Sequence, residues 1–192
     1  MDGQTPLTIE EQLGLLIPVV SRHDLDSLEQ ENILEARKWI MNRSILRRYN
    51  VLSEEFLCKL HKKMYGHVWE WAGSFRRSDK NIGVEFFNIP IELKILLDDA
   101  QLWLNQKTLT IEQSAVMFHH RLVKIHLFPN GNGRHARLCA DILVAQHNAK
   151  KLSWGGDYNL TNQNDVRKRY INALKEADYG DYSKLFEFAI KR

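Results

Sequence analysis

The chain has 192 residues, of which 44% are apolar and 27% are charged. This length and composition provide one substantial core and exclude an intrinsically disordered protein. The 27 basic and 24 acidic residues give a net charge of +3, which is far from the polybasic composition of a nucleic-acid binder. No apolar run is long enough to cross a membrane, and the N-terminal residues lack the pattern of a secretion signal. With only two cysteines, the sequence predicts a single cytoplasmic domain.

The N-terminal part of the chain is predicted to contain an arm followed by two helices. Residues 1–20 have the pattern of a loosely ordered arm with an apolar patch that packs on the body. A first helix is predicted to begin at Asp26, because Glu29 follows at the spacing of a capping box. Apolar residues then recur at helical spacing as far as Ile40. Ser53 is predicted to cap the second helix.

A segment of different character, residues 73–90, separates these helices from the rest of the chain. It is rich in Ser, Gly, Asn and Arg, with isolated apolar residues among them, and this pattern predicts a short exposed β-hairpin or flap. Helical patterns resume after it, and the predicted spans are 91–105, 111–125, about 132–146, 165–177 and 183–190. The sequence therefore predicts an all-α domain with one small β-hairpin.

The segment 126–137 carries the strongest chemical signal in the chain. It reads His-Leu-Phe-Pro-Asn-Gly-Asn-Gly-Arg-His-Ala-Arg, so a turn containing proline and glycine leads directly into a helix N-terminus, where unpaired N–H groups favour anions. Arg134 and Arg137 are three residues apart and therefore project from one helix face. His126, at the entrance, is placed to act as a general base. The combination predicts a phosphate-binding site.

Each of these features also has an ordinary structural interpretation. Glycine-containing turns often join helices, and paired arginines on a helix usually form a solvated face. A metal cluster is not predicted, because the histidines at 119, 120, 126 and 135 lack the spacing of zinc ligands. The turn, the paired arginines and His126 occur together within twelve residues, and this combination favours phosphate binding. Spacing alone names no reaction.

The segment 126–137 resembles the signature of the Fic (filamentation induced by cAMP) family, His-Pro-Phe-x-acidic-Gly-Asn-Gly-Arg-x-x-Arg. The resemblance runs from about residue 50 to the end, including Trp71-Ala72-Gly73 and the pattern from Tyr170 to Leu185. The wording of the loop, with an N-terminal Glu-Asn-Ile-Leu-Glu-Ala, is most similar to the Fic-related proteins called mobile mystery protein B. The resemblance implies an N-terminal arm with an inhibitory helix (1–49) and a Fic core (50–192), a helical bundle with a β-hairpin flap.

The resemblance implies transfer of AMP from ATP to a hydroxyl side chain of a target protein. His126 would deprotonate that hydroxyl for attack on the α-phosphorus. The residues implied in binding ATP and its phosphates are Asn130, Gly131, Asn132, Gly133, Arg134 and Arg137, with Arg137 on the γ-phosphate. In-line geometry and charge neutralisation would supply most of the rate.

The same resemblance makes the flap the docking surface for the target protein. An extended target segment would pair with the flap by strand addition. The implied docking residues are Gly73, Phe75, Arg76, Ile82 and Gly83. A membrane is not a predicted partner, nor is a nucleic acid.

The loop departs from the family signature at a metal-binding position. Asn130 replaces the acidic residue that holds Mg²⁺ in the family. An amide oxygen can coordinate Mg²⁺ but carries no negative charge, so weak Mg²⁺ binding is expected. Leu127 replaces the usual proline, which affects loop stiffness more than chemistry.

Residues 27–32, Ser-Leu-Glu-Gln-Glu-Asn, resemble the inhibitory motif of the family, Ser/Thr-x-x-x-Glu-Gly/Asn. The implied inhibitory residues are Ser27, Glu31 and Asn32, with Glu31 pairing with Arg137 and displacing the γ-phosphate. Two alternatives to an autoinhibited AMP transferase stay open. One is removal of AMP, with Glu31 aligning a water, and the other is a catalytically weak nucleotide-binding regulatory module.

Overall fold

Helices form nearly all the regular structure of the computed structural model, which describes residues 6–156 and 165–190. Their bounds are α1 Ile9–Leu13, α2 Arg22–Ile40, α3 Arg43–Leu46, α4 Glu54–Tyr65, α5 Ile89–Gln106, α6 Ile111–Ile125, α7 Asn132–Gln146, α8 Asp165–Asp178 and α9 Ser183–Ile190. Short 3₁₀ turns lie at Phe86–Asn88 and Trp154–Gly156. In these described ranges no strand forms, and an isolated bridge joins Leu15 and Trp69. The all-α prediction is confirmed.

Helices α4 and α6 begin where their local start signals predict. Thr110 caps α6, and Gln113 returns the second bond of the capping box. Ser53 caps α4 through a bond from the Phe56 amide. These caps satisfy N–H groups that have no partner within the helix, so the sequence fixes where each helix begins.

The predicted start of α2 at Asp26 is wrong. The helix begins one turn earlier, because Ser21 and Asp24 form a capping box there. The residues before it are also more ordered than expected, since Thr8 and Glu11 form a capping box for the short helix α1. The pair Ser21–Asp24 is a short-range signal equivalent to Asp26–Glu29, and α2 begins at the earlier of these two pairs.

The predicted β-hairpin at 73–90 is also wrong, because residues 74–85 form bends and irregular backbone. The Arg76 guanidinium binds the Ser78 carbonyl at 2.9 Å and also the Val84 carbonyl. A side chain thus takes a main-chain acceptor that strand pairing would need. We call residues 74–85 the flap loop.

The core lies around α6 and α7, which pack against each other and are joined by the loop at 126–131. Helix α6 also packs against α5, α8 and α9, while α2 packs on α4. The central side chains, such as Phe118, Leu143 and Leu185, are fully or almost fully buried. Within the described ranges, none of the helices combines the length and apolar character needed to span a bilayer.

Four buried histidines make folding sensitive to acid. Burial lowers the pKa of the imidazoles of His61, His119, His126 and His135, in the last case from 6.5 to about 4. In the unfolded chain these groups bind protons as the pH falls below 6.5, whereas in the folded chain all four resist protonation, His135 down to a pH of about 4. The contribution to stability is therefore complete above the unfolded pKa and is lost as the pH falls toward the folded pKa.

We expect the free energy of unfolding to fall by about 3 kcal/mol for His135 alone as the pH falls from the unfolded to the folded pKa. Denaturant unfolding across this range measures the slope. His135→Gln should reduce the slope, whereas the same change at exposed His67 should leave it unchanged. An unfolding free energy that does not vary with pH would contradict the prediction.

Candidate functional site

The loop between α6 and α7 is braced from within. The side-chain Nδ2 of Asn132 donates to the Phe128 carbonyl at 2.7 Å, and the main-chain N–H of Phe128 donates to Asn132 Oδ1 at 2.9 Å. Asn132 is buried, so its side chain shapes the loop and does not reach a ligand. Of the Asn132 groups, only the main-chain N–H at the start of α7 could fill the predicted role of holding phosphate.

The two loop glycines serve different needs. Gly131 has φ 78°, and a Cβ there would lie 2.5 Å from the ring of Tyr65, so only glycine fits. A Cβ on Gly133 would meet nothing nearer than 4.0 Å, where Arg137 and Tyr170 lie. The first turn of α7 therefore faces space bordered by a guanidinium.

Helix α7 begins without a side-chain cap. Its first N–H groups are left for another acceptor, and together with the helix dipole they favour a bound anion. Phosphate binding at this helix N-terminus stays a prediction.

The metal-binding position is poorly suited to a cation. Asn130 Oδ1 accepts a hydrogen bond from the Gly131 amide at 2.6 Å, so one lone pair of its neutral oxygen is already used. Among the described residues, no group of three His, Cys, Asp or Glu side chains could hold a metal ion. The residues present do not fit a protein-held Mg²⁺.

A buried histidine that the sequence did not single out holds the loop to α4. His61 Nδ1 accepts from the Gly73 amide at 3.0 Å, and Nε2 therefore donates to the Asn130 carbonyl at 3.0 Å. Its ring stacks on Phe128 at 3.8 Å. Burial lowers the pKa of His61, which keeps this tautomer neutral.

His126, the predicted general base, ends α6 in the left-handed conformation, with φ 60° and ψ 64°. Its residue surface is 5% exposed. Burial, together with the positive charges of Arg76 and Lys80, lowers the pKa of the imidazole to about 4, against a hydrogen bond with the Val123 carbonyl that raises it. The imidazole is thus neutral at physiological pH and able to accept a proton.

Arg137 is held at the start of α7 by an aromatic ring. Its guanidinium lies 5.5 Å from the ring centroid of Tyr170, whose hydroxyl is hydrogen-bonded to His119 at 3.0 Å. In the described part of the chain no carboxylate pairs with it. Arg137 is thus positioned for an incoming anion.

Arg134, in contrast, already has a carboxylate partner. Glu29 of α2 lies 2.7 Å from its guanidinium, and the other Glu29 oxygen accepts from the Trp69 indole at 2.7 Å. The Glu29 side chain is 3% exposed. The Tyr65 ring lies beneath Arg134 at 5.1 Å. An acid from the N-terminal helix therefore occupies one of the two arginines.

The predicted pairing of Glu31 with Arg137 must be corrected, because Glu31 is exposed on α2. Ser27 is also exposed, and its hydroxyl donates to the His23 carbonyl one turn back. Asn32 is buried, but its amide donates to the Leu28 carbonyl of its own helix. The predicted motif therefore does not supply the acid that pairs with an arginine of α7, and the residue that does is Glu29.

A signal in the sequence could have found Glu29. The buried face of α2 consists of Leu25, Glu29, Asn32, Ala36 and Ile40, which is one stripe at helical spacing. A carboxylate on that stripe must have a buried partner. Two residues further along, Glu31 lies about 200° around the helix and so points away.

The predicted docking residues of the flap separate into two groups. Arg76 is buried, with its side chain 0% exposed, so its predicted contact with a target is wrong. Gly73 and Phe75 are partly buried at the base, and the Phe75 ring lies 6.0 Å from that of Phe128. Ile82 is partly exposed and Gly83 exposed, so these two remain accessible.

The fold and loop together define a helical domain with an uncapped helix N-terminus, two arginines and a neutral buried histidine. The model of the Fic/DOC family matches residues 51–144. The chain therefore carries a Fic/DOC family domain. The finer resemblance to the mobile mystery protein B group stays a prediction.

Curated relatives of this chain include Fic proteins of insects. The protein adenylyltransferase Fic of Drosophila melanogaster is 30% identical over 157 residues, which cover 80% of this chain and 30% of that protein. The one from Aedes aegypti is 28% identical over 159 residues, covering 81% of this chain and 30% of that protein. The chain thus spans about 30% of the length of these relatives.

Solved Fic structures share the fold. BepC of Bartonella tribocorum, with bound AMPPNP, has a TM-score of 0.69 and 17% identity, covering 94% of this chain and 96% of that one. Fic-1 of C. elegans has a TM-score of 0.66 and 24% identity, covering 92% of this chain and 51% of that one. The Fic fold therefore extends across nearly all of the chain.

Proposed function

We propose that the protein transfers AMP from ATP to a hydroxyl side chain of a target protein. The observation that carries the proposal is the neutral, buried His126 at the entrance to a loop that ends in an uncapped helix N-terminus beside Arg137. The curated relatives are named protein adenylyltransferases, and a structural neighbour contains an ATP analogue. ATP is accordingly the proposed nucleotide.

The first turn of α7 and its arginines would bind the phosphates. The main-chain N–H groups of Asn132 and Gly133 at the uncapped start of α7 offer hydrogen bonds, and Gly133 leaves room for an oxygen to approach the backbone. Arg137 supplies a forked guanidinium for the terminal phosphate, and Arg134 can do the same once it is released from Glu29. These contacts would neutralise charge and align the α-phosphorus.

His126 would act on the attacking group. Its neutral imidazole takes the proton of the target hydroxyl while the oxygen bonds to the α-phosphorus, and the bond to pyrophosphate breaks. The proton and pyrophosphate are released, and AMP stays on the target. The exposed part of the flap loop, including Ile82 and Gly83, is the proposed docking surface for the target segment.

The N-terminal region would restrain this reaction through Glu29. Its carboxylate holds Arg134 and is itself anchored by the Trp69 indole. A carboxylate and a phosphate compete for the same guanidinium, so phosphate binding at Arg134 requires this contact to break. We therefore divide the chain into a regulatory region, 1–49, and a catalytic core, 50–192.

Cys58 and Cys139 are both free thiols, which supports a reducing, cytoplasmic location.

The test is incubation with ATP labelled either on the α- or on the γ-phosphate, followed by recovery of protein. Label from the α-phosphate alone should remain on protein, together with release of pyrophosphate. Retention of the γ-label would contradict AMP transfer. ATP binding without any retained label would favour the regulatory module, and loss of label from AMP-modified protein would favour AMP removal.

A further inference from the structure

Arg76 is the most completely buried charged side chain in the flap loop. Its side chain is 0% exposed, and a guanidinium in that position is costly unless its N–H groups are bonded. Asp79, the acid nearest to it, lies 3.6 Å away and is 59% exposed. The burial of Arg76 must therefore be compensated mainly by neutral acceptors.

These acceptors lie on two sides of Arg76. On one side it binds three consecutive carbonyls at the end of α6: Nε donates to His126 at 2.7 Å, Nη2 to Ile125 at 3.4 Å, and the Arg76 amide to Leu127 at 2.9 Å. On the other side it binds the flap loop, at the carbonyls of Ser78 and Val84.

The bonds at the end of α6 have a specific consequence for His126. The last carbonyls of a helix lack intrahelical partners, and a left-handed residue other than glycine is strained. Arg76 supplies the missing donors at the residue that has φ 60°. The backbone that aims the imidazole is thus held by Arg76.

The flap loop is held at a fixed distance from the same histidine. A Cβ on Gly83 would lie 2.7 Å from His126 Cβ and 2.9 Å from Arg76 Nη2. The Val84 amide also donates to the Ile125 carbonyl at 3.4 Å. Flap loop and histidine therefore meet through direct contact and through Arg76.

We propose that Arg76 is a positioning residue that fixes the general base and the target-docking loop in one arrangement. The proposal rests on the proposed role of His126. Arg76 touches neither nucleotide phosphate nor target hydroxyl in this assignment, because its donors are directed to main-chain carbonyls. Its loss should thus reduce turnover while ATP affinity is retained.

Three substitutions in the full chain test this positioning role. Arg76→Met removes the donors and the charge, and Arg76→Lys retains the charge without the planar set of donors. Gly83→Ala retains Arg76 but forces the flap loop away from His126. Each should lower kcat about 10²-fold, as expected for a displacement of about 1 Å, with ATP affinity unchanged.

The titration of His126, followed by NMR of the imidazole, distinguishes positioning from general damage. The charged groups facing it are Arg76 and Lys80, and the Val123 carbonyl faces it from α6. Arg76→Met should raise the pKa of His126 and move the acid limb of kcat/KM to higher pH, whereas Arg76→Lys should not. Arg77→Met, at the exposed neighbour, should leave the titration unchanged.

The proposal is overturned if folded Arg76→Met keeps the kcat of the parent, if ATP affinity falls as much as kcat, or if its His126 titration matches the parent. A chain that transfers no AMP in any variant would contradict the proposed function instead. The titration and the chemical shift of His126 would still decide whether Arg76 holds it.

Discussion

Glu29→Gln should raise the rate of AMP transfer by about 10- to 100-fold, because a charge-assisted hydrogen bond is worth roughly 1.5–3 kcal/mol and each 1.4 kcal/mol is a factor of ten. Glutamine keeps the shape of the side chain and its contact with the Trp69 indole, but it loses the charge that holds Arg134. The guanidinium is then free to bind phosphate. The initial rate of α-label incorporation measures the effect.

Glu31→Gln is the matched control for this experiment. It removes the same charge from the same helix, two residues away, at a side chain exposed to solvent. Its transfer rate should equal that of the parent. A rate that rises for Glu31→Gln and stays unchanged for Glu29→Gln would restore the pairing predicted from the sequence motif and contradict the contact with Arg134.

Local sequence signals located most of the helices and the loop. Thr110 with Gln113 marks the start of α6, and Gly131 marks the start of α7. Both signals act within a few residues of the chain, so no tertiary information is needed to interpret them. The same is true of His126, whose position at the loop entrance follows from the helix end.

The parts that sequence analysis missed depend on contacts between distant segments. The partners of Glu29 are Trp69 and Arg134, which lie far from it in the chain. Arg76 and His126 are 50 residues apart. A motif fixes spacing along one helix, but the choice between Glu29 and Glu31 depends on which face of α2 packs on α4. The stripe of residues along α2 identifies this face from the sequence, but the partners of Glu29 can be identified only from the structure.

The flap loop shows why propensity alone gave the wrong local structure. Its apolar residues suited a hairpin, yet Arg76 takes main-chain acceptors that a strand would need, and Gly83 packs against His126. The backbone groups are satisfied by a side chain, so no strand pairing is required. Tertiary contacts therefore override the local preference for strands.

Replacement of His126 should have the largest effect of any single change, lowering AMP transfer by about 10²- to 10⁴-fold, the usual contribution of general acid–base catalysis. His126→Asn is the variant of choice, because asparagine tolerates the left-handed conformation that alanine disfavours. ATP affinity should be unchanged, since the proposed phosphate ligands lie on α7. Steady-state rates with a binding titration in parallel provide the measurement.

The pH dependence supplies an independent check on this assignment. The pKa of His126 is lowered to about 4 by burial and by Arg76 and Lys80, so the base is neutral and active above that pH and is lost as the pH falls through it. The rate should therefore be flat across the neutral range, with an acid limb that His126→Asn abolishes. His67→Asn, at an exposed histidine, should change neither the rate nor the limb. An acid limb centred on the ordinary histidine pKa of about 6.5, or a His126→Asn chain as active as the parent, would show that a different group accepts the proton.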